Sequence, residues 1–368
     1  MVDVVGSEPA GGTGHERQVL DRIEAFRRRR PRFTDQVVTL AHGAGGKASA
    51  ALIDHVFLER FAPGAGPADD AAVCELPSGE RLAFSTDSYV VHPRRFPGGS
   101  LGLLAVHGTV NDLAVQGARP AWLSAAFVIE EGLEVSELEG IAQDMAAAAL
   151  AAGVAIVTGD TKVVGRGAAD GVFVTTAGVG VVPASRTLGA ALVRAGDRVI
   201  VSGTIGDHGM AVMIARGDLA LDADIRSDTA PVADLVARLL EAAPSTRWMR
   251  DPTRGGVATV CNELAHDTGL AVVLDESALP VNPLVTGACD LLGIDPLYVA
   301  NEGKVVAIVG PDDAEPAVAA LRTHPLGRQA AVIGEVAAEP EGIVVLRTTF
   351  GSTRIVDMLV GDPLPRIC

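Results

Sequence analysis

Residues 136–162 read SELEGIAQDMAAAALAAGVAIVTGDTK and contain one complete unit of the fold. The motif Ser136-Glu-Leu-Glu139 has the spacing of a capping box, which predicts where a helix begins, and Gly153 predicts its end. The apolar run Val154–Val157 then predicts a strand that leads into a turn at Gly159-Asp160. A helix, a strand and a polar turn in this order are typical of a mixed αβ fold.

The same alternation continues on both sides of this unit. In the first half we predict strands at Val37–Leu40, Leu82–Ser85, Trp122–Ile129 and Gly171–Val182, a helix through Leu52 to Phe61, and a helix at Leu101–Val115. In the second half we predict strands at Arg198–Ser202, Ala271–Leu274, Lys304–Val309 and Ala331–Val336, and helices at Thr229–Ala242 and Gly255–His266. The sequence shows no short-period repeat, which excludes solenoids and propellers.

Shifts in this pattern divide the chain into four parts. We predict an N-terminal extension over residues 1–37, a first αβ domain over 38–186, a second over 187–350 and a C-terminal tail over 351–368. Within the extension, an apolar stripe predicts a short amphipathic helix, and its members are Val19, Leu20, Ile23 and Phe26.

The composition limits the classes of function. A chain of 368 residues with 48% hydrophobic and 21% charged residues is long enough for two globular domains. The formal net charge of −16 disfavours a broad nucleic-acid surface, because basic side chains must neutralise phosphates there. Arg27–Arg30 could form a nucleic-acid arm, but Asp21 and Glu24 lie one turn before them and favour a solvated helix end.

Cysteine usage and hydropathy indicate the compartment. The four cysteines, at positions 74, 261, 289 and 368, include no CxxC pair, which disfavours a zinc ribbon or a disulfide scaffold and fits a reducing cytoplasm. The N-terminus has no apolar h-region, so no signal peptide is predicted. The uncharged stretch Met145–Gly159 is split by Gly153 and is shorter than the ~20 residues that span a bilayer. We therefore expect neither a membrane nor a nucleic acid as partner.

Lysine is rare in this chain, and a glycine precedes each lysine within three residues. Lys47, Lys162 and Lys304 are the only lysines among 30 basic residues, and we predict that all three lie in glycine-containing turns. All other basic residues are arginine, so lysine is expected where a compact ammonium is needed and a larger guanidinium would not suit, for example beside a phosphate group. The alternative is three ordinary surface lysines, although such lysines are expected on helix faces.

Acidic residues recur in predicted turns of the same kind. These turns are Asp69-Asp70, Thr86-Asp87, Asn111-Asp112, Gly159-Asp160 and Gly206-Asp207. Mg²⁺ takes carboxylate oxygens together with water and phosphate oxygens, so such a set can hold a metal and a polyphosphate. Each residue alone is also ordinary turn chemistry or a helix cap. Taken with the three lysines, the set predicts a polyphosphate–magnesium site.

Neither standard nucleotide motif describes the glycine-rich loop well. A Walker A loop requires glycine where Ala41 stands, and serine or threonine where Ala48 follows Lys47. The spacing Gly43-x-Gly45-x-x-Ala48 matches a dinucleotide fingerprint, but the strand before it is short and no clean βαβ unit follows. Binding of a nicotinamide dinucleotide, which ATP would not displace, stays an alternative.

Longer motifs give the chain a specific resemblance. They are Ala41-His-Gly-Ala-Gly-Gly-Lys47, Ser85-Thr-Asp-Ser-Tyr-Val-Val91, Phe96-Pro-Gly-Gly99, Gly108-Thr-Val-Asn-Asp112, Glu130-Glu-Gly-Leu133, Val157-Thr-Gly-Asp-Thr-Lys-Val-Val164, Val201-Ser-Gly-Thr-Ile-Gly-Asp-His-Gly209, Arg250-Asp-Pro-Thr-Arg-Gly-Gly256, Asn301-Glu-Gly-Lys304 and the terminal Pro365-Arg-Ile-Cys368. In these segments the chain resembles the HypE family of hydrogenase maturation factors, which are carbamoyl dehydratases. That family belongs to the ATP-binding superfamily related to aminoimidazole-ribonucleotide synthetase (PurM-like). The resemblance runs from about residue 38 to the end, and residues 1–37 have no counterpart in it.

The resemblance implies a fold, an assembly and a reaction. It implies a mixed α+β, two-domain PurM-like architecture, in which the N-terminal sheets of two subunits pair in a homodimer and ATP with Mg²⁺ binds near the domain junction. It also implies that a carbamoyl-transferring maturation protein, HypF, loads a carbamoyl group onto the Cys368 thiol. ATP then drives dehydration of that group to a thiocyanate. The cyano group passes to iron on a HypC–HypD complex, as a ligand for a nickel–iron hydrogenase.

The resemblance further implies roles for individual residues. Cys368 carries the group, Lys162 activates the thiol or the phosphorylated oxygen, and Glu302 is the candidate base. The alternative bases are His42 and His208, and Asp251 and Arg254 are expected to position the tail. The expected nucleotide-binding residues are Gly45, Gly46, Lys47, Asp70, Asp87, Asn111, Asp112, Gly159, Asp160 and Thr161. The expected Mg²⁺ ligands are Asp70, Asp87, Asp112 and Asp160.

Other functions of the superfamily stay open at this point. Selenophosphate synthetases resemble this layout but carry a reactive cysteine or selenocysteine just before the glycine-loop lysine, and no cysteine lies near Lys47. Aminoimidazole-ribonucleotide synthetase and thiamine-monophosphate kinase lack a terminal cysteine tail, so they leave Cys368 unexplained. A non-catalytic scaffold that binds maturation proteins through its tail is a further alternative, which measurable ATP turnover would exclude.

Overall fold

Two αβ units, which meet along one long helix, make up the described part of the chain. In the computed structural model, residues 33, 35–62, 69–217 and 223–359 are described. The helices are α1 (Lys47–Leu52), which continues through a π-helical segment (Ile53–Leu58) into α2 (Glu59–Phe61), then α3 (Leu101–Val115), α4 (Val135–Ala152), α5 (Asp207–Arg216), α6 (Ala233–Ala242), α7 (Gly256–Thr268), α8 (Pro283–Leu292) and α9 (Ala314–Arg322). The predicted amphipathic helix of the extension and the terminal Cys368 lie outside the described residues.

A five-stranded sheet, covered by helices on one face, forms the first unit. The strands of this half are β1 (Ala72–Glu75), β2 (Arg81–Tyr89), the short hairpin β3 (Arg95–Phe96) and β4 (Gly99–Ser100), β5 (Arg119–Glu130), β6 (Ala155–Val164) and β7 (Val172–Val182). The sheet order is β1-β2-β7-β5-β6, and all neighbours are antiparallel except the parallel pair β5–β6. Side chains of β7 alternate between buried and half-buried, as in a sheet with one face on a core. Helices α3 and α4 pack on that face, where Leu104, Leu123 and Met145 share one core.

The second unit is a seven-stranded sheet with a core on each face. Its strands are β8 (Arg198–Val201), β9 (Trp248–Arg250), β10 (Ala271–Asp275), β11 (Val306–Val309), β12 (Ala331–Ala337), β13 (Val344–Arg347) and β14 (Thr353–Val356), in the order β14-β13-β10-β12-β8-β11-β9. One core contains Val257 and Leu264 of α7, and the other contains Leu235 of α6 and Leu321 of α9. Because β14 pairs with β13, residues 353–356 of the predicted tail belong to this sheet.

Helix boundaries follow local signals in part. The helix predicted at Leu101–Val115 is observed with these bounds, and Ser100 caps it by accepting a hydrogen bond from the Leu103 N–H. Helix α4 ends as predicted at Gly153, which adopts a left-handed conformation with φ +68°. The capping-box prediction at its start is wrong, because the N-cap of α4 is Glu134 and not Ser136, and no side chain caps this end.

Two strand and turn predictions in the first half are wrong. Val37 and Val38 are exposed and form no strand, and the chain instead enters a short 3₁₀-helix at Leu40–Gly43. The Gly159-Asp160 pair forms no turn, because β6 continues through it to Val164. Parallel pairing with β5 aligns Gly159 with Ala125, and a Cβ at Gly159 would lie 2.1 Å from the Ala125 carbonyl oxygen. The glycine therefore serves strand packing there and not a turn.

Helix α3 joins the two units and so positions the junction. Its residues contact β2 and β7 of the first sheet and also α6 of the second unit. Nearly every residue of this helix is buried, which explains why its sequence is apolar on all sides. Among the described helices, none combines the length and apolarity that crossing a bilayer requires.

Candidate active site

Three aspartates from distant parts of the chain meet at the junction. Asp70 precedes β1, Asp112 lies in the last turn of α3, and Asp251 follows β9. One carboxylate oxygen of each lies within 4.8 Å of the other two. We call these three residues the aspartate group. Its members come from both units, so only the packing of the units brings the carboxylates together.

The aspartate group has a buried, negatively charged environment. Burial raises the pKa of Asp112 well above its ordinary range, and the carboxylates of Asp251, Asp87 and Asp70 raise it further. Burial also raises the pKa of Asp251 well above its ordinary range, with the charge of Asp70 as the next cause. Such a group is stabilised when a cation or protons neutralise it.

The surroundings of Asp70 show that the group suits a hard metal ion. Arg250 donates through Nε to Asp70 Oδ1 at 2.7 Å, while its Nη1 lies 3.1 Å from Glu263. The second oxygen, Asp70 Oδ2, is buried and accepts no hydrogen bond from the described residues. A buried carboxylate oxygen without a donor, beside two further carboxylates, matches the oxygen ligands that Mg²⁺ takes. The residues present therefore fit a magnesium ion.

Strand β2 adds a fourth carboxylate next to this group. Asp87 Oδ2 accepts a hydrogen bond from the Tyr89 hydroxyl at 3.0 Å. Ser85, two residues earlier on the same face of the strand, donates to Asp112 Oδ2. This face of β2 therefore holds Asp112 in place and presents Asp87 to the junction.

Asn111, a predicted nucleotide-binding residue, clamps α3 to the second unit. Its Nδ2 donates to the carbonyl oxygens of Ala230 at 3.1 Å and Glu302 at 2.9 Å. Its Oδ1 accepts a hydrogen bond from the Val232 N–H at 2.8 Å. Both amide hydrogens are thus used within the fold, and the side chain is fully buried.

The candidate base Glu302 lies on the segment that this clamp holds. Its side chain is buried, and burial raises its pKa well above the ordinary range, followed by the charges of Asp228 and Asp87. A carboxylate with a raised pKa is a stronger base, which suits removal of an amide proton. Nearby, Lys304 forms a buried ion pair with Asp228 at 2.9 Å, so this lysine has a structural role.

The glycine-rich loop packs against the second unit. Gly45 has φ +78°, a conformation that other residues adopt only with strain. A Cβ at Gly46 would lie 2.4 Å from the carbonyl oxygen of Leu359, so no larger residue fits there. Arg254 donates to the carbonyl oxygen of Gly43 at 3.0 Å, which ties the loop to the segment that carries Asp251.

The start of the C-terminal tail crosses this loop. The Lys47 N–H donates to the Leu359 carbonyl oxygen at 3.2 Å, and Lys47 Nζ lies 2.7 Å from Asp357 Oδ2. The Tyr298 hydroxyl donates to the Asp357 carbonyl oxygen at 2.9 Å. The chain that leads to Cys368 therefore leaves the described residues beside the glycine-rich loop.

Strand β6 carries the remaining predicted site residues, Gly159, Asp160, Thr161 and Lys162. It is an edge strand of the described sheet, and its residues 155–163 are all exposed. Asp160 and Lys162 form an exposed ion pair with 2.7 Å between Lys162 Nζ and Asp160 Oδ2. The prediction that Lys162 lies in a glycine turn is wrong, because the strand continues through it.

The sheet register separates Asp160 from the aspartate group of the same chain. Asp160 is aligned with Ala126, Thr175 and Ser88 across three strand pairs, a span of about 14 Å at the usual strand spacing. Aligned residues share one face of a sheet, and Ser88 lies on the opposite face from Asp87. Asp160 and Lys162 therefore face outward, away from the junction.

The two histidines considered as alternative bases make contacts within the fold. His42 Nδ1 accepts a hydrogen bond from the Thr39 N–H at 2.9 Å, and its Nε2 lies 3.1 Å from Asp35. His208 is fully buried, with its Nδ1 2.8 Å from the Ser227 hydroxyl oxygen. Glu302 is buried, and the charge of Asp87 is among the causes that raise its pKa.

Comparison with known families agrees with the two-unit architecture. The model for the N-terminal domain of AIR synthase related proteins matches residues 68–182, and the model for their C-terminal domain matches residues 194–347. The first range contains all five strands of the first sheet, and the second contains β8 to β13.

Similarity to individual proteins decides the family. The carbamoyl dehydratase HypE of Rhodobacter capsulatus is 57% identical over 337 residues, which cover 91% of this chain and 99% of the relative. This chain belongs to the HypE family. A solved HypE in complex with ATP matches with a TM-score of 0.75 at 45% identity, covering 90% of this chain and 100% of that one. A chain of a solved HypE–HypF complex matches with a TM-score of 0.78 at 44% identity, covering 84% of this chain and 100% of that one. The predicted two-domain α+β fold is confirmed.

The sequence did not indicate that Asp251 joins the aspartate group. The sequence analysis expects it to position the tail, whereas the structure places it with Asp70 and Asp112. The available signal was its position directly after Arg250 at the end of a short strand, β9. Nothing local in the sequence connects that strand end with α3 or β1.

Proposed function

We propose that this HypE-family chain uses ATP to dehydrate a carbamoyl group carried on the Cys368 thiol. The product is a thiocyanate, which supplies the cyanide ligand of hydrogenase iron. One observation carries the proposal: the chain that leads to Cys368 crosses the glycine-rich loop at Lys47, and Arg254 links that loop to the Asp251 segment. Cys368 lies nine residues beyond Leu359, and an extended chain of that length reaches about 30 Å. The thiol can therefore reach a nucleotide at the junction.

The chemistry needs ATP because an amide oxygen is a poor leaving group. The carbamoyl oxygen forms a bond to the γ-phosphorus, and the bond from that phosphorus to ADP breaks. The carbon–oxygen bond then breaks with release of phosphate, while the nitrogen loses both protons and becomes the nitrile nitrogen. Glu302 accepts an amide proton in this scheme, which its raised pKa favours.

The phosphates require positive charge at the glycine-rich loop and the junction. Lys47 would hold the transferring phosphoryl group after exchanging Asp357 for phosphate oxygens, and the loop would lie over the nucleotide. Mg²⁺, held by Asp70, Asp112 and Asp251 with Asp87 beside them, would neutralise charge on the triphosphate. The buried, unpartnered Asp70 Oδ2 supports this assignment.

Lys162 would act across a homodimer. The outer face of the first sheet exposes Phe84 at 48% and Trp122 at 51%, and these two are aligned through Val179. Lys162 is aligned with Val128 of β5. Val128 and Trp122 are six residues apart on this strand, so their side chains point to the same face of the sheet. Lys162 therefore lies on the outer face as well. Exposed aromatic side chains on a sheet face mark an interface, which supports pairing of the sheets of two subunits. Lys162 and Asp160 of one subunit would then complete the site of the other.

The proposed reaction also sets the partners. HypF, which forms a complex with a HypE 44% identical to this chain, would donate the carbamoyl group. A HypC–HypD complex would receive the cyano group, and the reaction would take place in the cytoplasm. The resemblance to the HypE family supports these assignments, and the low cysteine content without a CxxC pair fits a reducing compartment, in which a carrier thiol stays reduced.

The mass of the intact protein tests the proposal directly. We expect wild-type chain incubated with HypF and its substrates to gain one carbamoyl group, and to lose one water when Mg-ATP is added. Cys368→Ser should show neither change, because a serine hydroxyl is far less nucleophilic than a thiolate. The matched control is Cys74→Ser, at an exposed cysteine, which should behave as wild type. Carbamoylation of Cys368→Ser would disprove the carrier role.

A further inference from the structure

The helix that follows the glycine-rich loop carries an apolar stripe with no cover in the described structure. We call residues 47–61, which comprise α1, the π-helical segment and α2, the N-terminal helix. From residue 53 to residue 61 no side chain of this helix is buried. Ile53, Phe57 and Phe61 are spaced by four residues and are 43%, 44% and 79% exposed. Residues at this spacing lie on one side of a helix, so the three form a continuous stripe.

This stripe is costly in water unless something packs on it. The rings of Phe57 and Phe61 stack on each other, with 5.9 Å between their centroids, yet both side chains stay exposed. Burial of such side chains away from water is favourable, because the free energy gained grows with the apolar area that is removed from water. Contiguous exposed apolar surface of this kind marks a site of interaction.

The chain that precedes the N-terminal helix already lies on it. Phe33 stacks on His55 with 5.8 Å between the ring centroids, and its ring meets that of His42 edge-on at 5.6 Å. Residues 1–32 therefore join the described structure at the N-terminal helix itself.

The preceding segment carries a matching apolar face in its sequence. The residues of this face recur at helical spacing, and they are Val19, Leu20, Ile23 and Phe26. Pro31 favours an extended residue before it, which would end such a helix ahead of Phe33. The seven residues from Phe26 to Phe33 span up to about 23 Å, whereas nine helical residues span about 13 Å. The segment is therefore long enough to fold back over the stripe.

The extension is a feature of this chain and not of its relatives in general. The Rhodobacter capsulatus HypE is matched over 99% of its length by 91% of this chain, so about as many residues as the extension contains have no counterpart there. We propose that residues 19–26 form a helix that packs its apolar stripe, within the same chain, onto Ile53, Phe57 and Phe61. This inference does not depend on the proposed reaction.

Amide hydrogen exchange of residues 53–61 in the full chain tests the contact. Ile23→Asp places a charge in the proposed contact, so we expect exchange in these residues to become about tenfold faster or more. The matched control is Ala25→Asp, which adds the same charge on the opposite side of the predicted helix and should leave exchange unchanged. Equal exchange in wild type and Ile23→Asp would disprove the proposal.

Cross-linking distinguishes this occupant from a second copy of the chain. A photoreactive benzoylphenylalanine in place of Phe57 should form links to residues 19–26. In a mixture of ¹⁴N-labelled and ¹⁵N-labelled chains, we expect these links to join peptides of the same isotope. Links between light and heavy peptides would show instead that the stripe is a contact between subunits, and the proposal would fail.

Discussion

The Lys47 ammonium lies 2.7 Å from the Asp357 carboxylate, which connects the glycine-rich loop with the start of the C-terminal tail. Both side chains are partly exposed, at 37% and 55%, so the pair adds little to folding stability. The position of the pair matters more, because the Asp357 carboxylate binds the Lys47 ammonium that, in the proposed function, binds a phosphate group. The tail and the nucleotide therefore compete for one positive charge.

Removal of that carboxylate should strengthen nucleotide binding. We expect Asp357→Asn to bind Mg-ATP several-fold more tightly than wild type, with a change in the free energy of unfolding of no more than about 1 kcal/mol. Calorimetric titration measures the affinity. Asp234→Asn, which removes a carboxylate from another exposed ion pair, is the matched control. Unchanged or weaker binding by Asp357→Asn would show that Lys47 does not contact the phosphates.

Neutralisation of one carboxylate in the aspartate group should stabilise the metal-free protein. The pKa of Asp112 is raised in the folded state, so the folded protein holds this proton more tightly than the unfolded chain does. Stability is consequently lost as pH rises above the ordinary carboxyl range, and Asp112→Asn removes that loss. We expect its thermal midpoint without metal to rise by about 2–4 °C at neutral pH.

The same variant should lose its response to magnesium. Saturating Mg²⁺ should raise the thermal midpoint of wild type, because a ligand that binds only the folded state stabilises it. The midpoint of Asp112→Asn should change little. A full Mg²⁺ response in this variant would place the metal site elsewhere.

His107 should make the protein sensitive to acid. Burial lowers the pKa of His107 to about 4, whereas an imidazole in the unfolded chain titrates near 6.5. A lowered pKa means that protonation favours unfolding, so this contribution is complete at neutral pH and is lost as pH falls from 6.5 towards 4. Between pH 7 and pH 5 the free energy of unfolding should fall by about 2 kcal/mol through this group.

Replacement of the imidazole isolates that effect. His107→Asn can keep the contact with the Thr229 hydroxyl oxygen, which lies 3.1 Å from Nδ1. We expect its unfolding free energy, from urea titrations, to fall less between pH 7 and pH 5 than that of wild type. The control is His55→Asn, at an exposed histidine, whose unfolding free energy should fall between pH 7 and pH 5 by as much as that of wild type. If the unfolding free energy of His107→Asn depended on pH as that of wild type does, this histidine would not be buried in its neutral form.

Two inactive variants should restore activity when they are combined. Lys162 faces outward on β6 and Glu302 is buried at the junction, so the proposed function requires them to come from different subunits of a homodimer. After subunit exchange between Lys162→Ala and Glu302→Gln, half of the dimers carry one intact site out of two, and about a quarter of wild-type dehydration should return. Mixtures as inactive as the separate variants would contradict the shared site.

Local structure was predictable where short-range forces decide it. The Leu101–Val115 helix has its predicted bounds because Ser100 caps its first turn and its apolar side chains pack in the core. Gly153 ends α4 because a left-handed residue is required there, and glycine adopts that conformation without strain. In both cases the deciding contacts lie within a few residues.

Predictions failed where pairing with a strand distant in the sequence outweighed the turn preference of neighbouring residues. A Gly-Asp pair after an apolar run predicts a turn, yet Gly159 and Asp160 lie inside β6 because β6 pairs with β5 without a break from Thr158 to Val164. The same pairing places Lys162 on an exposed strand instead of a loop. Backbone pairing with a neighbouring strand outweighs the weak turn preference of two residues.

By itself, the sequence determined the family, the two-domain α+β architecture and the kinds of group that the site contains: carboxylates, a glycine-rich loop and a rare lysine. It did so because motifs and residue types are local properties of the chain. Only the tertiary structure decided that Asp251 joins Asp70 and Asp112, that Asn111 is a clamp between the units, and that Asp160 faces away from them. Those distances depend on how two sheets pack across α3, and no neighbouring residues in the sequence encode that geometry.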